Sequence, residues 1–504
     1  MQPHSPTSCC SWLPTLTLRP NLQPETPFFE SSPLLFFLSF GAHAFRSVLP
    51  LLQVYFLNTQ FVTPTGYALL LASQSLPALI LPFFVGHIYD IFEFKYVTVC
   101  FLLIQFIGQL SFCFAVHLDN FPYAIASLII FGSGSSAVSV AQRALVVDSY
   151  KGSEGFGIGC IHSISAVSKF IGKISIIPAV IFFDSYKVAL LSMCIYTVFS
   201  LSIAFYMLCG RDAPSFHTYD ADAPPPPLSE PSSPENRSRS ASASIQSLGF
   251  WKSLLDKRVY LTRFFVLLAT AHTVYLLVFH LLGNFLPHML ITRWHQSFSI
   301  SGITSGFMSF LPAVISPFVG YFVDQIGMQL EVCTGAAMAT TFAYWLLLYA
   351  PAVTPFIPIM LLSLSLAIIP TITLAIVPLC IPSDAYGLAY GSMEVIDSLG
   401  SMIGNYIFGE MFKQTHSYIL GLTCLGVMSV IGVALFISLS WIERQGRGEV
   451  RGGLRLDRFQ HVYETIPATT SFCSTSDVGT PRSHGHADFS NRYQYDIAIS
   501  DEIL

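Results

Sequence analysis

Two acids stand one helical turn apart in "YGSMEVIDSLGSM", residues 390–402: Glu394 and Asp397. Their surroundings are small or apolar, from "IPSDAYGLA" before them to "IGNYIFGEMF" after. An ionisable side chain at membrane depth costs about 2.5–3.5 kcal/mol on insertion scales, which marks it as functional by default. Three residues apart on a helix, the two carboxyls share a face. With a helix starting near residue 386, they lie roughly 12–17 Å from its end at 1.5 Å per residue. Buried side by side, they are expected to hold one proton between them and to titrate as a unit. That chemistry is a proton site, or an ammonium site whose occupant displaces the proton. The alternative is structural: one acid simply pairs with Lys169, Lys173 or Arg46.

The other ionisable groups at mid-helix depth are Arg46, Lys169, Lys173 and His272. The strong bases precede residue 209 and the acids follow residue 260, so a cleft between the two parts would be bipolar. It would suit a zwitterion. Lys169 and Lys173, four apart, share a face; one is expected to reach the cleft and the other to snorkel outward. Arg46 is either functional or paired to a helix end. Arg143 and Asp148, close to the inner end of their helix, read as gate or anchor. His43, His87, His162 and His280 read as satisfied polar groups, and Glu410 as solvated. No nucleophile–base pair, metal-ligand cluster or phosphate cradle occurs, so no enzyme, cofactor or metal site is expected. "FGSGSS" (131–136) reads as close helix packing, and the 11 scattered cysteines as small core residues.

What must position these groups is a membrane bundle. Hydrophobic residues make up 53% of the 504 and charged residues 11%, against about 25% charged in soluble domains. Mean hydropathy is +0.60. Membrane lipid is the expected solvent, and nucleic-acid binding is not expected. Twelve apolar segments are laid out at 34–57, 66–90, 95–116, 121–148, 155–181, 186–208, 261–286, 300–323, 330–350, 355–381, 386–411 and 417–442. The predicted fold class is an all-α membrane protein of twelve transmembrane helices in two pseudo-symmetric six-helix bundles. Residues 1–33 form an N-terminal segment, 34–208 and 261–442 the two bundles, 209–260 a Pro/Ser-rich disordered linker and 443–504 a disordered tail. Outward loops carry only Lys187, Arg293 and Lys413, whereas the inward loops hold Lys95 and Lys151, the linker and the approach to the seventh segment a further seven basic residues from Arg211 to Arg263, and the start of the tail five from Arg444 to Arg458. The positive-inside rule therefore places both termini in the cytosol. The first 33 residues lack the pattern of a cleaved signal peptide.

The two halves also echo each other. "LPALILPFFVGHIYD" (76–90) recurs as "LPAVISPFVGYFVD" (311–324). Each copy ends in Gly-x-x-x-Asp, Gly86 to Asp90 and Gly320 to Asp324, which read as gating elements. A 6+6 parallel repeat is the layout of major-facilitator transporters.

"VPLCIPSDAYGLAYGSMEVIDSLG" resembles the lysosomal dipeptide-uniporter branch of that superfamily, whose pattern is Ala-Tyr-Gly-x-Met-x-x-Ile-x-x-Leu-Gly. Ala389, Tyr390, Gly391, Met393, Ile396, Leu399 and Gly400 fit it. "PFFVGHIYD", "FIGQLSF" and "SPFVGYFVDQIG" are similar to that branch as well, so the resemblance covers most of residues 34–442. It implies a twelve-helix transporter exporting dipeptides from lysosomes beside a glycosylated single-span accessory subunit. Four positions depart: Ser136 replaces a helix 4 glutamate, the helix 5 arginine has no clear counterpart, and Glu394 and Asp397 replace neutral amides. The expected cargo is a small zwitterionic or cationic solute, most of all a dipeptide. A proton-coupled carrier of another organic solute (sugar, carboxylate) and a transport-dead receptor or scaffold are the alternatives. "YETI" (463–466) and "ESSPLL" (30–35) fit lysosomal or vacuolar sorting signals. The one Asn-x-Ser/Thr site, Asn236, falls in the cytosolic linker, which leaves glycosylation to a partner.

Overall fold

Helices form where the apolar runs are; two of their breaks coincide with prolines, although Pro50, Pro178, Pro287, Pro317, Pro370 and Pro378 sit inside continuous helices. The structure, a computed structural model, describes residues 32–82, 84–85, 94–209, 263–326, 328–349, 354–381 and 386–445. After a 3-10 turn at Ser32–Phe37 come α1 (Phe40–Asn58), α2 (Pro64–Ser73), α3 (Phe94–His117), α4 (Phe121–Ser149), α5 (Glu154–Phe183), α6 (Tyr186–Ser192) and α7 (Cys194–Cys209). The second half holds α8 (Arg263–Trp294), α9 (Phe298–Phe307), α10 (Phe310–Ile326), α11 (Gln329–Tyr349), α12 (Phe356–Cys380), α13 (Tyr386–Thr415) and α14 (Ile419–Gln445). Gly86, Asp90 and His87, the linker and the tail lie outside the described residues.

Among the described residues ten segments are long and apolar enough to span a membrane. The other two expected spans each miss for a physical reason. α2 is short because the chain breaks after it. α13 is long, but Glu394, Asp397, Glu410 and Lys413 lower its hydropathy. With these two, the helices make up the twelve-helix arrangement. The seventh segment runs to Trp294, eight residues beyond the expected 286.

The internal repeat reappears as a repeated break. Proline lacks an N–H and its ring clashes with the carbonyl four residues earlier. Pro77 stands four residues after Ser73, where α2 stops, and Pro312 four after Met308, the cap of α9. The second break leaves late α9 carbonyls without intrahelical partners, a detail the site exploits.

Two antiparallel seams join the halves. Along α5 and α10, small residues let backbones approach, as membrane helices require. A Cβ on Gly320 would lie 2.0 Å from the Gly155 carbonyl oxygen, and one on Gly159 would lie 2.4 Å from that of Ser316. Ser163 Oγ donates to the Ala313 carbonyl at 2.5 Å. Along α2 and α13, Gly409 fits against Ala68 and Gly391 against Pro82. Below, the "linker end" is the end of the bundle where α7 stops and α8 starts, and the "far end" is the opposite one.

Candidate functional site: a charged interior between the halves

The charged side chains stack in layers set by their distance along each helix. Nearest the linker end, Arg143 of α4 donates from Nη1 to Glu394 Oε2 of α13 at 2.7 Å. Arg143 is six residues from the end of α4 and Glu394 eight from the start of α13, roughly 9–12 Å in. The two side chains are 18% and 15% exposed, so the pair is largely shielded.

One turn deeper, Asp397 accepts from Thr273 Oγ1 at 2.5 Å and lies 3.4 Å from His272 Nε2. His272 is buried, with Nδ1 2.6 Å from Thr373 Oγ1. A threonine hydroxyl has a single proton. If Thr373 gives it to the Ile369 carbonyl, 2.8 Å away, Nδ1–H donates to the threonine, and Nε2 facing a carboxylate needs a proton too. If Thr373 gives it to Nδ1, Nε2 again carries the hydrogen. In either arrangement Nε2–H is the form that suits the Asp397 carboxylate 3.4 Å away.

The two acids thus contact different partners. Each has its own basic partner, because the helix turns about 100° per residue and three residues carry Asp397 toward α8 and Glu394 toward α4.

The next layer, roughly 20–22 Å from the linker end, holds Arg46 and Lys169. α1 and α5 cross closely here: a Cβ on Gly172 would meet the Ala44 carbonyl oxygen at 2.6 Å. Pro50, inside α1, removes the hydrogen bond that the Arg46 carbonyl would otherwise accept. Arg46 Nη2 donates to Ser135 Oγ at 2.6 Å, and its guanidinium lies 5.7 Å from the Phe131 ring centroid. Its Nε is buried without a partner. Lys169, half-buried, makes no hydrogen bond or ion pair with any described residue. His162 Nε2 is also buried and unpartnered, a difference from the satisfied role expected of it. His280 is exposed although Lys169, Asp397, Arg46 and His272 all act on it electrostatically. His280 is thus unburied within reach of charges from both halves.

Lys173 forms the layer beyond. It does not snorkel: it is 5% exposed, and its Nζ donates to the Ser305 carbonyl of α9 at 3.0 Å. That carbonyl is among those freed by the break before Pro312. Glu410 is likewise tied down, accepting from Thr65 Oγ1 of the other half at 2.9 Å. At the linker end Asp324 accepts from the N–H groups of Gly155 and Phe156 at 3.0 and 2.9 Å. The α5 cap residue Ser153 makes no side-chain cap bond; an acid from the other half does its work, on the positive end of the helix.

Sequence reading missed the hydroxyls that anchor the charges: Ser135, Thr273 and Thr373. Their signal was present, as polar residues in apolar helices at the depth of an ionisable group.

Helices arranged this way define a class. The sequence model of the Major Facilitator Superfamily matches residues 35–405, and the chain belongs to that superfamily: it is a membrane transporter, not an enzyme. Within it, the chain is MFSD1-like. It is 24% identical over 421 residues to the lysosomal dipeptide transporter MFSD1 of Mus musculus, covering 80% of this chain and 85% of that one. The Bos taurus MFSD1 is 24% identical over 399 residues, 77% and 79% of the two chains. Among solved structures, the proton:xylose symporter XylE superposes with a TM-score of 0.63 at 13% identity, over 86% of this chain and 99% of that one. The human organic anion transporter MFSD10 does so with a TM-score of 0.58 at 14% identity, over 82% and 100%. These two show the fold alone.

Proposed function

We propose that the chain moves small zwitterionic solutes, dipeptides first among them, across a lysosomal or vacuolar membrane by alternating access. The observation that carries this reading is the division of charge. Arg46, Arg143, Lys169 and Lys173 come from one half, Glu394 and Asp397 from the other, and they face one another at the depth where rocking bundles bind cargo. The MFSD1 relatives, named as lysosomal dipeptide transporters, support the substrate class and the membrane. In this arrangement both acids already have basic partners, so a purely cationic cargo finds less support than a zwitterion. Uptake of a labelled dipeptide library into proteoliposomes at two pH values tests the reading. Saturable uptake of dipeptides is expected, and a library that never enters faster than into empty liposomes refutes it.

The His272–Asp397 contact favours a second reading, coupling to a proton. Asp397→Asn would then flatten the pH dependence of uptake, whereas an unchanged profile discards the coupling.

Cytosolic termini, a linker that tolerates deletion, sorting through Tyr463 and a glycosylated accessory subunit complete the proposal. Tyr463→Ala is expected to send tagged protein to the cell surface. Unaltered location of that variant removes the sorting claim.

A further inference from the structure

We infer that the compartment between the Arg143–Glu394 and Lys173–Ser305 contacts takes a solute whose carboxylates outnumber its cationic groups, held by Arg46 and Lys169. The inference rests on the transport reading and shifts its preferred cargo from the neutral zwitterion to a net-anionic solute, acidic dipeptides included.

The argument is one of charge balance. Four strong bases and two acids lie in the layers between the halves. Glu394 is committed to Arg143, and Asp397 to His272 and Thr273. Lys173 is held by a carbonyl oxygen, which is neutral. Arg46 and Lys169 remain, without an acid of their own among the described residues. Glu394 is near enough to act on Arg46, and so is Arg143, but one carboxylate already bonded to one guanidinium does not neutralise a second. Strong bases kept at membrane depth without a counter-ion of their own mark a substrate or ion pathway, and two half-buried ones together suit an anion that the protein does not itself supply.

The geometry points the same way. Ser135 fixes one end of the Arg46 guanidinium and Phe131 supports it, leaving Nε buried and unmatched. Lys169 lies on α5, one turn before the Gly172 crossing with α1, and it and Arg46 act on each other electrostatically. A planar guanidinium and an ammonium on the crossing helices α1 and α5 suit a carboxylate, the first by paired N–H groups and the second by charge. His280, His43 and His162 lie near enough to feel Lys169. A zwitterion brings no net charge to offset two free cations. A dipeptide with an acidic side chain or a blocked amine brings one net negative charge, as does a monocarboxylate, and a dicarboxylate brings two.

The test uses purified full-length protein, with unfolding midpoints and proteoliposome uptake read in parallel. The probes are glutamyl-glutamate, an N-acetylated dipeptide, glutarate, a dipeptide amide and lysyl-lysine. The first three are expected to raise the unfolding midpoint and to be taken up or compete, while the amide and lysyl-lysine do neither. Lys169→Gln, which breaks no contact in the structure, should weaken binding of the acidic probes roughly ten- to a hundred-fold. Arg46→Gln should do the same and Arg46→Lys should recover part of the loss. The inference is overturned if the amide or lysyl-lysine binds as well as glutamyl-glutamate, or if well-folded Lys169→Gln and Arg46→Gln bind acidic probes like wild type. If glutarate binds and no dipeptide does, the anion inference stands and the dipeptide reading falls. Transport of neutral dipeptides that ignores both substitutions has the opposite meaning.

Discussion

The two ends of the interface between the halves are closed by different physics. At the linker end the contacts are charged and backbone-close. Arg143 meets Glu394, Asp324 sits on the start of α5, and Gly155 faces Gly320. At the far end they are aromatic and neutral-polar: Tyr55 stands edge-on to Phe298 at 5.1 Å, Tyr67 to Phe285 at 5.9 Å, and Thr65 bonds Glu410. A charged contact in a shielded place is strong while both partners are present and costly when one is lost. An aromatic contact degrades gradually. The linker end is thus the steeper switch, and the far end the more forgiving lid.

The sharpest way to break that contrast is steric. In Gly320→Ala the new Cβ would meet the Gly155 carbonyl, backbone against backbone, at 2.0 Å. Neither side yields cheaply, so the α5–α10 seam should part and uptake should fall to background. A monodisperse Gly320→Ala protein with normal uptake would show that this seam does not govern closure.

Next in size is the ion pair. Glu394→Gln leaves Arg143 without its counter-ion, and the expected cost to the closed form is about 1–3 kcal/mol, below the 3–5 kcal/mol of a fully buried pair. Reactivity of a cysteine placed at the linker end should rise, and uptake should drop roughly ten-fold. Exchanging the two residues, Arg143→Glu with Glu394→Arg, should restore part of both. Failure of the exchange together with a harmless single substitution would reduce the pair to a bystander.

Asp324→Asn should cost less, about 1–2 kcal/mol, since an amide oxygen still accepts one of the two N–H groups but without the charge that favours a helix N-terminus. A lower thermal midpoint in detergent, with substrate affinity unchanged, is the expected readout. A shift in affinity instead would place Asp324 in the binding machinery.

The smallest effects belong to the far end. Tyr55→Leu removes an aromatic pair with Phe298 worth about 0.5–1.5 kcal/mol, and Thr65→Val a hydrogen bond to a carboxylate that water can partly replace. Each should alter uptake by a few-fold at most. A loss as deep as that of Glu394→Gln would reverse the assignment of switch and lid.

Much of this was open to reading before any coordinates. The repeat stands in plain sequence at 76–90 and 311–324. The breaks at Ser73 and Met308 that accompany it were not foreseen: 66–90 and 300–323 read as unbroken spans, and a proline alone does not break a helix here, as Pro50 and Pro178 show. Arg46, Lys169, His272, Glu394 and Asp397 were all visible as ionisable groups in apolar runs. Their pairings were not. Glu394 and Asp397 looked like a couple because a helix brings them to one face, yet 100° per residue separates them enough for different neighbours. Lys173 looked like a snorkelling lysine, because a carbonyl freed by a break 132 residues away leaves no mark beside it.

The division has a simple physical origin. Depth along a helix is local: apolar run length, proline position and a 1.5 Å rise place every charge at its level from sequence alone. The same local information determined an all-helical membrane chain with an internal repeat. Which charge faces which depends instead on the rotation of each helix about its axis and on the seams that small residues permit between distant segments. Only the tertiary structure could bring Arg143 to Glu394 across 251 residues, hang Asp397 on His272, and leave Arg46 and Lys169 without an acid of their own among the described residues.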